Sequence, residues 1–120
     1  MQMLEMEGTQ RTPAVKLDPL SGRLEISGRA LSDDASAFLN PVKAWIGEYS
    51  KSPQPQTSIN FKLEYVNNEC SKAFLDIIES LSGLPGARVH WYFHDEDEDM
   101  EETGEELAEL VKIPFEFVTY

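Results

Sequence analysis

His90 and His94, the acidic run Asp95–Asp99, the lone Cys70 and the polar stretch Asn67-Asn68-Glu69-Cys70-Ser71-Lys72 are the parts of this 120-residue chain equipped for chemistry. The histidines flank Tyr92 at two-residue spacing, which places all three on one side of a strand whose other side carries Val89, Trp91 and Phe93. A metal pair with the nearby carboxylates is conceivable there, but no third ligand is specified. The polar face of a strand is the plainer reading. Asp95, Asp97 and Asp99 alternate as the first ligands of a calcium loop do. Glu101 and Glu102 then occupy the place of the glycine turn, and Gly104 comes late. The run reads as a solvated acidic loop whose charge suits the positive start of a helix, with a docking patch for a basic partner as the alternative.

Cys70 lies near a predicted helix start, where a thiolate is favoured, yet Lys72 is the one basic residue close in sequence. A small buried residue is the ordinary expectation. The chain has no GxxxxGK[ST], GxGxxG or GxSxG, so phosphate-loop, dinucleotide and serine-hydrolase chemistry lack support, and no cofactor is called for. The junction from Asn67 to Lys72 remains. Free N–H groups at a helix start hold anions, so a phosphorylated hydroxyl there is stabilised and presents about two negative charges to a partner. Ser71 is the only hydroxyl in the stretch. On these residues alone, a plain cap by Asn67 or Asn68 and a phospho-switch both stand.

The elements that carry this junction follow from hydrophobic spacing. Val15 and Leu17, then Leu24 and Ile26, alternate around the turn-forming "DPLSG" and predict a hairpin. Ser32 as cap, with Asp33 and Asp34 in an acidic first turn, begins a helical stripe from Ala35 to Tyr49. Pro41 predicts a kink or a restart there with Asn40 as a second cap. Ile59, Phe61, Leu63 and Tyr65 alternate as one face of a strand. Ala73, Phe74, Ile77, Ile78 and Leu81 form a second helical stripe, closed by Gly83 as a left-handed residue. "ARVHWYFH" is a strand, Met100, Leu107, Leu110 and Val111 mark a third helix ending near Lys112, and "IPFEFVTY" is a last strand. The order β-β-α-β-α-β-α-β predicts an α/β fold: a single-layer mixed sheet of about five strands, an N-terminal hairpin followed by βαβ crossovers, packed by three helices in one domain over 1–120.

The charge balance of 10 Lys+Arg against 22 Asp+Glu gives a formal net charge of -12, which disfavours nucleic acid and anionic membrane as partners. One cysteine excludes an internal disulfide and a multi-cysteine zinc site. The N-terminus lacks a signal-peptide pattern, and no apolar run is long enough to span a membrane, so a cytoplasmic protein is expected.

With these elements placed, the chain resembles the SiaC family of small bacterial regulatory phosphoproteins. "GTQRTPAVKLDPLSGRLEISGRALSDDASAFLNPVKAWIGEY" is similar to the family's opening, "FKLEYVNNECSKAFLDIIESL" to its strand-to-helix junction, and "VHWYFHDEDEDMEETGEEL" with "IPFEF" to its final third. The resemblance implies a non-enzymatic switch protein of STAS-like layout. In members of that family, the resemblance implies, a partner kinase phosphorylates a Thr just after the junction Asn, a partner phosphatase reverses this, and the unmodified form activates a diguanylate cyclase, raising cyclic di-GMP and promoting biofilm. It implies a partner surface over Asn67, Asn68, Glu69, Cys70, Ser71 and Lys72. Asn67 and Lys72 match the family pattern, but Asn68 stands at the Thr position, with Glu69 and Cys70 at the following Ser positions. Asn68 cannot take a phosphate, so Ser71 is the remaining candidate for phosphorylation. A STAS-type anti-sigma-factor antagonist or adaptor is the alternative function, and a metal-binding protein a more distant one.

Overall fold

The computed structural model describes all residues 1–120. Its elements run β1 (Leu4–Met6), β2 (Ala14–Asp18), β3 (Arg23–Ala30), α1 (Ser36–Tyr49), β4 (Thr57–Val66), α2 (Asn68–Ser80), β5 (Ala87–Phe93), α3 (Glu98–Leu110) and β6 (Phe115–Thr119). They form one sheet in sequential order β1 to β6, with β1, β2 and β3 antiparallel and β3 to β6 parallel. The mixed sheet and three helices match expectation, but there are six strands rather than five. β1 is only three residues long and too short to show alternation. It is held by pairing with β2 and by Trp45, whose indole N–H donates to the Gln2 carbonyl at 2.9 Å.

Sequential order with right-handed crossovers sends every helix to the same face. Leu24, Ile26, Ile59, Phe61, Leu63, Val89, Trp91 and Phe93 are buried on that face. Aromatic contacts join the layers: Phe61 lies 5.0 Å from Phe74 of α2 and 5.3 Å from Trp91, and Phe74 lies 5.7 Å from Phe38 of α1. The opposite face carries charged and polar side chains, crossed by the ion pairs Lys62–Glu25 and Arg88–Glu116.

Four local expectations are corrected. α1 starts at Ser36, and Ser32 is no cap: the Asp34 carboxylate accepts from the Ser36 N–H at 2.9 Å, while the Ser32 hydroxyl donates to the Asp34 carbonyl. α1 also runs unbroken through Pro41, with no restart at Asn40. Pro41 lies in the second turn, where the lost bond frees only the carbonyl of Ala37, an exposed residue that water reaches. Gly83 is not left-handed; Leu81 and Ser82 continue in right-handed turns onto the Ile78 and Glu79 carbonyls, and the positive φ falls at Gly86. Finally, α3 ends at Leu110, which is exposed, so Val111 and Lys112 lie outside its turns.

α3 approaches the sheet at Gly104. A Cβ there would stand 2.5 Å from Cδ1 of Trp91 and 2.9 Å from Cε1 of Phe117. Trp91 cannot yield readily, because it is fully buried and its indole N–H donates to the Met100 carbonyl at 2.9 Å. Gly104→Ala would gain about 1 kcal/mol of helix propensity against about 1–3 kcal/mol of overpacking. A net loss of stability in urea unfolding is therefore expected, and a variant more stable than the parent would contradict the close packing.

Candidate functional site

The junction between β4 and α2 is organised by Asn67. Its N–H donates to the Ala30 carbonyl at 2.9 Å, extending the β3–β4 pairing by one residue. Its extended backbone (φ -92, ψ 175) makes it the N-cap of α2, and its Oδ1 accepts from the Cys70 N–H at 2.9 Å. Its carbonyl accepts from the Ser71 N–H at 2.9 Å, and its Nδ2 donates to the Ser32 carbonyl at 3.0 Å. One residue thus ties the end of β3, the loop before α1 and the first turn of α2 together.

The residues after it divide by exposure. Asn68, Glu69 and Lys72 are exposed, Ser71 is half-buried and Cys70 is fully buried. Of the six expected positions, Asn68, Glu69 and Lys72 are thus displayed, Asn67 and Ser71 are partly covered, and Cys70 is removed from the surface. The Cys70 thiol donates to the Ser32 carbonyl at 3.7 Å. Burial pushes its pKa above the ordinary thiol value and the Glu69 carboxylate adds to that, against the opposing effect of the Ser32 carbonyl contact. It is a packing residue, not a nucleophile. Glu69 and Lys72 approach to 3.9 Å, an exposed pair of small energetic weight.

Asn68 is the first residue of α2, beside the free donors of the helix start. Ser71 lies one position past the first turn, where its own N–H is already committed to Asn67. A phosphate on position 68 would meet the helix dipole and free N–H groups; one on Ser71 would not reach the same donors.

The loop around the junction is also ordered. Arg11 donates to the Leu31 carbonyl at 3.1 Å and pairs with Asp33 at 3.4 Å. Hydrogen bonds from the Ser36 side chain and N–H hold the Asp34 carboxyl below its ordinary pKa.

One neighbouring residue was misplaced by simple alternation. Tyr65 does not join Ile59, Phe61 and Leu63 in the core; it is 54% exposed. The β3–β4 register shifts between Gly28 and Arg29: Gly28 pairs with Leu63 and Arg29 with Tyr65, leaving Glu64 as an extra residue on β4. Gly28 opposite adopts φ +98, which its missing Cβ permits. The bulge rotates Tyr65 out, where the Arg29 guanidinium lies 4.8 Å from its ring centroid and 3.8 Å from Glu64. The signal that points to this is Gly28 itself, an isolated glycine within a strand.

The other candidates fall apart as sites. His90 Nδ1 lies 3.1 Å from Asn60 Oδ1 and Nε2 3.1 Å from Glu116, while His94 Nδ1 contacts the Tyr120 carbonyl at 2.9 Å. The two rings serve different partners. Asp97 caps α3 by accepting from the Met100 N–H at 3.0 Å, and Glu98, Asp99 and Glu101 occupy its acidic first turn. No three of the His, Cys, Asp and Glu side chains converge as metal ligands.

The site is thus a capped helix start beside a strand bulge at one edge of a two-layer α/β fold. The chain matches the SiaC family of regulatory phosphoproteins over residues 6–120 and belongs to that family. An uncharacterized protein of Pseudomonas aeruginosa strain UCBPP-PA14 is 28% identical over 120 residues, covering 96% of this chain and 94% of that one. The crystal structure of apo-SiaC from Pseudomonas aeruginosa is similar with TM-score 0.87 and 27% identity, covering 99% of this chain and all of that one. A crystal structure of the diguanylate cyclase SiaD in complex with its activator SiaC, from the same organism, is similar with TM-score 0.88 and 27% identity, over 98% of this chain and 99% of that one. No helix is long and apolar enough to cross a membrane.

Two outcomes are expected at the junction. Asn67→Ala loses a cap worth about 1 kcal/mol and a hydrogen bond worth about another 1 kcal/mol, whereas Asn67→Asp keeps the cap acceptor and loses about half as much. Urea unfolding checks this, and equal losses would contradict the double role. Cys70 is expected to resist alkylation in the native protein and to react at an ordinary thiol rate once unfolded; rapid native labelling would contradict its burial.

Proposed function

We propose that this protein is a non-enzymatic regulator that binds a diguanylate cyclase and raises its activity. The observation that carries the reading is the likeness, over 98% of the chain, to the activator in the SiaD–SiaC complex. The junction supports it: Asn68, Glu69, Ser71 and Lys72 form a polar surface held rigid by Asn67. Asn67 and buried Cys70 shape that surface from beneath. The sheet and helix core supply rigidity and no chemistry.

The same reading gives position 68 a particular meaning. Asn68 occupies the place of the family's phosphorylated Thr, at a helix start suited to an anion. Asn is neutral and keeps this place in the unmodified state. The member is therefore not switched at position 68 and stays competent for its cyclase, with the Ser71 hydroxyl as the one remaining acceptor in the motif. A cognate kinase and phosphatase act here only if they use Ser71.

The test is reconstitution with the diguanylate cyclase of the same host, following cyclic di-GMP formation. Addition of the protein is expected to raise the rate, and no change at saturating protein would overturn the proposal. Incubation with the host's kinase for SiaC-family proteins is expected to leave the intact mass unchanged and to add one phosphate to Asn68→Thr. A phosphate on the parent protein that disappears in Ser71→Ala would instead place control at Ser71.

A further inference from the structure

A groove of about 240 Å3 opens next to the junction, between the end of β4 and the first turn of α3. Leu31, Val66 and Met100 supply apolar lining, Tyr65 forms a wall, and Glu64 and Asp99 contribute carboxylates. At about 30 Å3 per bulk water the space equals about eight waters. Small-molecule sites run to about 300–1,000 Å3, so the groove suits one long side chain better than a nucleotide.

Charge narrows the choice of side chain. No lysine or arginine lines the groove. Arg29 reaches Glu64 at 3.8 Å, and Asp97 uses one oxygen to cap α3. Three carboxylates, those of Glu64, Asp97 and Asp99, against the single neighbouring cation Arg29 leave about two uncompensated negative charges, and such a surface favours a cationic group over any other. These carboxylates do not converge as ligands for a metal ion. The bulge at Glu64 has meanwhile turned an aromatic ring outward beside them.

We infer that this groove receives an arginine side chain of the partner protein, with its aliphatic stem on Leu31, Val66 and Met100 and its guanidinium between Tyr65 and Asp99. Arginine fits better than lysine because its planar head stacks on an aromatic face and forks onto a carboxylate, while its stem covers apolar surface. The groove is continuous with the junction, since Val66 precedes the capping Asn67. An exposed tyrosine beside an apolar groove is a residue type enriched among interface anchors. The inference rests on the cyclase-binding reading and adds to it the position and chemistry of one contact.

Calorimetric titration of the full-length protein with its cognate cyclase at fixed salt tests this. Asp99→Lys is expected to weaken binding by about tenfold or more, and Tyr65→Ala by a similar factor, as anchor residues do. Asp99→Asn, which avoids placing a cation at the start of α3, is expected to lie between parent and Asp99→Lys. Glu102→Lys makes the same charge change on the same helix outside the groove and is expected to bind within about twofold of the parent, as rim charges far from a contact do. Equal weakening by Asp99→Lys and Glu102→Lys would reduce the effect to net charge and overturn the inference. So would unchanged binding by Asp99→Asn, Asp99→Lys and Tyr65→Ala while the parent binds. Absence of binding by the parent protein overturns the cyclase reading, and this inference with it.

Discussion

The arrangement of this protein depends on the hydrogen bonding of Asn67. Its backbone extends a parallel strand pair and begins a helix, while its side chain serves a helix donor and a loop carbonyl at once. An aspartate could make the cap but could not donate to Ser32; a serine could cap but could not span both partners. The Ser32 carbonyl meets both the Asn67 amide and the Cys70 thiol, so the loop before α1 and the first turn of α2 share one anchor. Residues 68 to 72 are displayed from this rigid point.

The sheet order gives that point its neighbours. Because β3, β4, β5 and β6 are parallel and sequential, the ends of β3, β4 and β5 open toward the same edge, and the helix that follows each strand starts there. Three helix starts are thereby gathered at the C-terminal ends of three strands, the region where parallel α/β sheets commonly place their sites. α2 starts with a neutral Asn-Asn pair, whereas α3 starts with acids. Residues far apart in sequence, from Arg11 to Thr103, contribute to one edge.

Much of this was legible in the residues. Alternation located β2 to β6 and placed Val89, Trp91 and Phe93 opposite His90 and Tyr92. The three helical stripes correspond to α1, α2 and α3, and the junction motif matched a family. What stayed hidden has physical causes. β1 is too short for a pattern and depends on β2 and Trp45. α1 starts later than Ser32 would place it: Ala35 is its cap residue, Asp33 and Asp34 precede the helix instead of forming its first turn, and the Asp34 carboxylate accepts from the Ser36 N–H. The exit of α2 used right-handed turns, so Gly83 was not needed as a left-handed residue. The burial of Cys70, by contrast, was readable, because it lies three and four residues before Ala73 and Phe74 on the same buried stripe of α2.

The bulge in β4 is also a matter of parity. Between Ile59 and the cap, the strand must deliver its last inward side chain and then hand Asn67 to the helix in the correct orientation. Strict alternation would send Tyr65 inward and Val66 outward. One additional residue at Glu64 changes odd to even, so the compact Val66 closes the core beside Ala30 and the large ring is exported. The same residue count that seals the end of the sheet also sets the aromatic display beside the helix start. Removing a single residue at position 64 would therefore alter packing and display together, because in this strand they are two readings of one number.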